Sequence, residues 1–149
     1  MEVEFYCCQI CGNVIVKLVD SGVMPECCGE SMSLLTPKTK EEGSEKHLPI
    51  VKMKNGCVEV RIGSDPHPMT EKHYIQWVCL VTNTNMYFAY LKSTDEPKVT
   101  FPLGEEVPVA VYEYCNVHGL WKTDVKDVVN EYNKKSWDNS KDQYVENYC

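Results

Sequence analysis

Long apolar runs are missing from this chain. Its longest stretches, such as Val107 to Tyr112, fall far short of the ~20 residues that a bilayer-crossing helix needs. A basic leader with an apolar core is missing too, because Met1 is followed by Glu2 and Glu4. Positive charge is in deficit: 15 Lys and Arg stand against 22 Asp and Glu, a net charge of −7. That balance argues against a nucleic-acid partner, which would want a basic face. It also means that an anionic substrate must be drawn in by local charge against the overall field. The expectation is a cytoplasmic protein. Internal repeats are absent, and the 43% hydrophobic and 25% charged content is that of a folded globular chain.

Histidine is scarce, with four residues, whereas cysteine is abundant, with nine. In a reducing compartment disulfides are rare, so clustered cysteines read as metal ligands or redox groups. Residues 1–35 hold five of the nine cysteines and little else that could form a core. A unit this small buries too little apolar surface to fold without a metal or a partner chain. Within it, Asn13 to Val19 (NVIVKLV) reads as a strand closed by the turn Asp20-Ser21-Gly22. Thr36 to Lys46 has no aliphatic residue and reads as a connector.

From there the pattern is repeatedly β. Ile50–Lys54 and Cys57–Gly63 flank Asn55-Gly56, a strong two-residue hairpin signal, and Val58, Val60 and Ile62 alternate with Glu59 and Arg61. Further strands are expected over His73–Thr82, Met86–Lys92, Lys98–Leu103 and Val107–Cys115, with turns at Thr82–Asn85, Asp95–Pro97 and Gly104–Glu106. About six or seven short strands with regular turns predict an antiparallel sandwich of immunoglobulin type. From Thr123 onward, the helical spacing of Val125, Val128, Val129 and Tyr132 leaves two expectations open, a short helix packed on the body or a loosely held extension. The expected organisation is 1–36 as a small metal domain, 37–46 as linker, 47–122 as the sandwich and 123–149 as an extension of no assigned role.

Cys8-Gln9-Ile10-Cys11-Gly12 is a Cys-x-x-Cys knuckle, answered downstream by Cys27-Cys28-Gly29. Four thiolates from two short loops can surround one tetrahedral ion, and soft thiolates favour zinc or iron. A thioredoxin-like redox pair would need a βαβ setting that this segment lacks. Adjacent ligands cannot spread their sulfurs freely, so a distorted tetrahedron is expected. Cys7 sits beside the knuckle as a bystander, because only Cys8 has the right distance to Cys11.

The histidines outline a second site. His67 and His73 bracket a Pro-containing loop (DPHPMTEKH), His118 follows Cys115 in a Cys-x-x-His pair, and His47 ends the connector. Each alone would be an ordinary surface or core histidine. Together they lie in segments that loops at one end of a sandwich can bring to one ion. Four imidazoles and a thiolate over-fill a zinc tetrahedron, which points to a higher coordination number and a redox-active ion. Trp77 and Trp121 read as core packing, Cys57 and Cys79 as structural thiols, and Cys149 as an inert terminal thiol.

These motifs resemble a known family. Cys8-x-x-Cys11-Gly12-Asn13 with Cys27-Cys28-Gly29-Glu30-x-Met32 resembles a desulforedoxin-type domain. Glu45-Lys46-His47, His67-Pro68-Met69-x-x-x-His73-Tyr74-Ile75-x-Trp77 and Cys115-Asn116-x-His118-Gly119-Leu120-Trp121 resemble a superoxide reductase domain of neelaredoxin type. In order and spacing they are similar, over residues 1–122, to desulfoferrodoxins, the two-iron class of superoxide reductase. The resemblance implies an all-β fold, a small desulforedoxin-like domain followed by the sandwich. It implies two iron ions per chain. One is held by Cys8, Cys11, Cys27 and Cys28, the other by His47, His67, His73 and His118 in a plane with Cys115 axial. It further implies one-electron reduction of superoxide to hydrogen peroxide, catalytic roles for Glu45 and Lys46, a rubredoxin-like electron donor and a homodimer. Two other readings stay open on the residues alone: a non-catalytic electron-transfer or redox-sensing iron protein, and a structural zinc module.

Overall fold

The computed structural model describes residues 3–41 and 45–125. The chain divides into two compact units, Met1–Thr36 and Pro37–Cys149.

In the first unit, β1 (Glu4–Cys7) pairs antiparallel with β2 (Val14–Lys17) on one side and β5 (Ser33–Leu34) on the other. A second small ribbon joins β3 (Glu26–Cys27) to β4 (Glu30–Ser31). The predicted strand at 13–19 is therefore present in shortened form, and β1 is an addition that its length of four residues hid from the sequence pattern. The buried interior is meagre: Phe5, Tyr6, Cys8 and Met32. Much of the remaining apolar surface is outward, with Leu18 75% and Val19 82% exposed.

The second unit is built from two antiparallel sheets. One has the order β10-β7-β6, with β6 Pro49–Lys54, β7 Cys57–Ile62 and β10 Lys98–Pro102. The other has the order β12-β11-β8-β9, with β8 Ile75–Thr82, β9 Met86–Tyr90, β11 Pro108–Cys115 and β12 Gly119–Asp124. Val51, Val58, Val60 and Ile62 of the first sheet meet Ile75, Val78, Leu80 and Val111 of the second in one buried cluster. This is the expected sandwich, and the alternation in β7 holds, with Glu59 and Arg61 on the outer face. At the β6–β7 turn Asn55 and Gly56 have φ of 49° and 74°, the positive pair that a type I′ hairpin needs.

Three expectations are corrected. Within the expected linker 37–46, Lys38 is tied down: its N–H donates to Leu120 O and its O accepts the Lys122 N–H, laying it beside Trp121 of β12. Strand β12 was not foreseen and continues to Asp124, past residue 122. Cys57 is disulfide-bonded rather than a plain thiol, whereas Cys79 is free and buried. The helix or loose extension expected around Val128, Val129 and Tyr132 lies outside the described residues.

Candidate metal centres

In the first unit the ligand atoms of Cys8, Cys11, Cys27 and Cys28 all lie within 4.8 Å of one another. The knuckle is closed by the Gly12 N–H donating to Cys8 O at 2.9 Å, which turns the backbone around the thiols. On the opposite loop, Cys28 and Gly29 form a two-residue turn between β3 and β4 with φ of 55° and 78°. That left-handed pair explains how adjacent cysteines serve one site: the tight reversal turns both thiols to the same side. Cys11 Sγ lies 3.6 Å from Cys27 Sγ, and Asn13 Nδ2 donates to Cys27 Sγ at 3.6 Å. The amides of Cys11 and Ile10 draw the Cys8 thiol down to about 7, while crowding by Cys11, Cys27 and Cys8 pushes Cys28 up to about 12. Four thiolates this close repel one another unless a cation sits among them, so the donor set fits a metal. Cys7 is not in the group; its thiol faces Cys8 O at 3.6 Å.

In the second unit His47, His67, His73, Cys115 and His118 come together, again with ligand atoms within 4.8 Å of one another. The four imidazoles form a closed ring. Neighbouring centroids are 4.9 Å apart for His47–His67, 4.7 Å for His67–His73, 4.9 Å for His73–His118 and 4.7 Å for His47–His118, each pair edge to face. Cys115, fully buried at the end of β11, reaches this ring with Sγ 3.7 Å from His118 Nδ1.

Local structure explains each placement. His47 precedes β6, where its own N–H and that of Leu48 donate to Glu41 Oε1 at 2.5 and 2.7 Å. Its ring stacks on Trp121 at 4.5 Å. His67 follows β7; its N–H donates to Ile62 O at 3.1 Å, and its Nδ1 lies 2.7 Å from Pro68 O, leaving Nε2 for the ring's interior. His73 leads into β8 through a turn closed by the Thr70 N–H on His73 O at 2.9 Å. Asn116 staples that segment to the β11–β12 turn: its Oδ1 accepts from Tyr74 N–H and its Nδ2 donates to Lys72 O. The His118 N–H points at Cys115 Sγ, 3.3 Å away.

Two buried ring atoms, His67 Nε2 and His73 Nε2, have no hydrogen-bond partner. Burial pulls His67 down to about 4 and lowers His47 and His73, so these imidazoles stay neutral at physiological pH. Neutral, orphaned, convergent nitrogens beside a thiol are what a metal requires and what a hydrogen-bonded core would avoid. The donors aimed inward are Nε2 of His47, His67 and His73, Nδ1 of His118 and Sγ of Cys115.

Glu45 and Lys46 lie beside this cluster rather than within it. The Ser64 hydroxyl donates to Glu45 Oε2 at 2.6 Å, and Lys46 Nζ is 3.6 Å from Asp65 Oδ2. The positive charge of Lys46 helps lower His73. Sequence reasoning missed Glu41, the clamp on His47, because it sat in a stretch read as linker. It also missed Glu113, fully buried on the core side of β11 with both carboxylate oxygens unpartnered and its carboxyl raised well above the usual range by burial. The alternation Val111-Glu113-Cys115 was the available signal.

The comparisons agree with this geometry. The family model for desulfoferrodoxin matches residues 39–124. Desulfoferrodoxin of Syntrophotalea carbinolica is 41% identical over 83% of this chain and 97% of its own length. That of Nitratidesulfovibrio vulgaris is 39% identical over 83% and 97%. Among solved structures, the superoxide reductase from Treponema pallidum superposes with a TM-score of 0.70 at 31% identity, covering 83% of this chain and 98% of its own. The four-cysteine group and the four-histidine, one-cysteine group match the two iron centres of that family. This chain belongs to the desulfoferrodoxin family.

Proposed function

We propose that this chain is a superoxide reductase, adding one electron and two protons to superoxide to give hydrogen peroxide. The observation that carries the reading is the closed imidazole ring with Cys115 reaching it from the core. Iron held by His47, His67, His73, His118 and Cys115 would supply the electron and a cationic point of attraction for a small anion. Cys115 must give up its proton when the site loads, since burial raises its thiol and only a nearby cation offsets that cost. His118 is exposed and His73 partly so, which sets the cluster at the surface, where a diffusing anion can reach it. Lys46 supplies local positive charge in a chain whose net charge is −7, steering the anion toward the ring. Glu45, whose Oε2 accepts the Ser64 hydroxyl from the loop after β7, is the carboxylate that would help product leave.

The N-terminal cysteine group holds the second iron. The exposed Ile15, Leu18, Val19, Val23 and Met24 on a unit with so small an interior support pairing with a second copy through that unit. A rubredoxin-like protein is the proposed electron donor and the cytoplasm the proposed compartment, where the four thiols stay reduced. Among the described residues, no helix is long and apolar enough to cross a membrane.

Pulse radiolysis of the reduced protein, counting peroxide formed per iron oxidised, tests the assignment; a ratio near one is expected. A reduced protein that leaves superoxide untouched would overturn it and leave electron transfer or redox sensing as its role.

A further inference from the structure

The outer face of the β10-β7-β6 sheet departs from the charge of the chain as a whole. Strand alternation places Lys52 and Lys54 of β6, Arg61 of β7 and Lys98 of β10 on that face. The register sets Lys52 opposite Glu59 and Lys98 opposite Arg61. Glu59 is the one carboxylate among these strands; Lys98 binds it at 3.2 Å and, with Lys52 and Lys54, holds it below the usual carboxylate range. Four cations against one anion thus cluster on a molecule of net charge −7.

At one end of the face lies a cleft of about 450 Å³ lined by Arg61, Ile62, Pro66, Glu96, Pro97 and Lys98. Glu96 tempers its charge at the rim without reversing it. The cleft is next to the histidine cluster along the chain: Ile62 O accepts the His67 N–H at 3.1 Å, so one peptide and one hydrogen bond separate Arg61 from a residue of the imidazole ring.

We propose that this face is where an acidic one-electron carrier protein docks, with Arg61 and Lys98 receiving its carboxylates and the Ile62–His67 hydrogen bond lying on the electron's route. The inference rests on the superoxide reductase reading, which requires a donor. In the step itself the carrier loses one electron and the oxidised C-terminal centre gains it; no bond forms or breaks. Charge complementarity selects the occupant: a second copy of this acidic chain would offer carboxylates without a donor's potential, and a neutral carrier would gain nothing from four cations.

The test combines Lys52→Gln, Lys54→Gln, Arg61→Gln and Lys98→Gln in the full-length, iron-loaded protein. Zinc-substituted rubredoxin, acidic and redox-silent, is titrated against wild type and variant at low and high salt. Affinity is expected to fall about tenfold in the variant at low salt, with the difference closing at high salt as screening removes the attraction. Reduction by ferrous rubredoxin should slow in parallel, while reduction by a small viologen radical and superoxide consumption by the pre-reduced protein stay unchanged. Affinity that ignores the substitutions, or a loss that persists undiminished at high salt, overturns the proposal. Equal affinity for a short single-stranded DNA would overturn the choice of a protein partner. Wild-type protein that binds rubredoxin salt-dependently yet leaves superoxide untouched would sink the functional reading and leave the docking face standing.

Discussion

Glu41 grips His47 from two sides: Oε1 accepts the backbone N–H of His47 and of Leu48, and Oε2 lies 3.6 Å from His47 Nδ1. The carboxylate thereby fixes both the path of the chain into β6 and the ring's orientation, with Nε2 turned toward His118 Nδ1 at 3.0 Å. Carboxylates behind a metal-binding imidazole increase its basicity and hold its tautomer, and losing one typically costs about 10–100-fold in metal affinity. Glu41→Ala is expected to weaken iron binding at the C-terminal centre by that order. Glu41→Gln, which keeps an acceptor for the two amides, should lose less. Competition with a chelator measures both, and the N-terminal centre serves as an internal control.

Cys115 is the sole sulfur donor of the C-terminal group, and its thiolate gives an iron site there a charge-transfer absorption. Cys115→Ser is expected to abolish that band while leaving the absorption of the four-cysteine centre intact. A band that survives would mean that the ligand set is wrong. Because the two groups lie in separate compact units, the spectral changes should be independent.

Lys46 is partly exposed and only loosely paired, 3.6 Å from Asp65, so its charge remains available to an approaching anion. Lys46→Ala is expected to retain both irons and to slow superoxide binding, most at low ionic strength, where the field of a single cation reaches furthest. Stopped-flow or pulse radiolysis across a salt series reads this directly. An unchanged rate removes Lys46 from the mechanism.

The alternation of Val58, Val60 and Ile62, the Asn55-Gly56 turn and the Cys-x-x-Cys spacing are local signals, and the structure carries each of them. The histidines were legible as a set because so few exist and each stands next to a strand end. What local pattern does not encode is contact across the chain. Glu41 acts on His47 six residues away through backbone amides, and Asn116 joins two loops more than forty residues apart. The segment after Pro37 lacks apolar side chains and so read as linker, yet Lys38 within it is held to β12 by backbone bonds that side-chain chemistry does not announce. Glu113 was hidden for the opposite reason: a carboxylate in a strand is ordinarily assigned to the wet face.

Gly63 shows how tightly the loop beneath His67 is drawn. Its φ is 81°, and a Cβ there would stand 2.3 Å from Asp65 O and 2.6 Å from Lys46 O, both backbone atoms. Neither neighbour can rotate away. Gly63→Ala is expected to destabilise the protein by about 1–3 kcal/mol, the usual cost of forcing a side chain into a strained, crowded position. Because the displaced atoms belong to the loops carrying His47 and His67, iron occupancy at the C-terminal centre should fall along with the urea midpoint. A fall in the midpoint with occupancy unchanged would show that the loop relaxes away from the ligands.

Glu106 ties two turns at the far end of the sandwich. Its Oε2 accepts the Thr82 hydroxyl at 2.5 Å and its Oε1 accepts the Tyr87 hydroxyl. Those donors, Thr82 first and then Tyr87, hold the carboxyl below its usual range. A carboxyl that is lower in the folded state than its unfolded value of ~4.3 contributes stability at higher pH and loses it as pH falls through the folded value. Glu106→Gln should therefore be less stable than wild type at neutral pH, and the gap should narrow as the pH falls below the unfolded value of ~4.3 and on through the lower folded value. Urea unfolding of both proteins over a pH series measures the gap. A gap that stays constant down to the acid limit would assign the loss to packing rather than to the charge on Glu106.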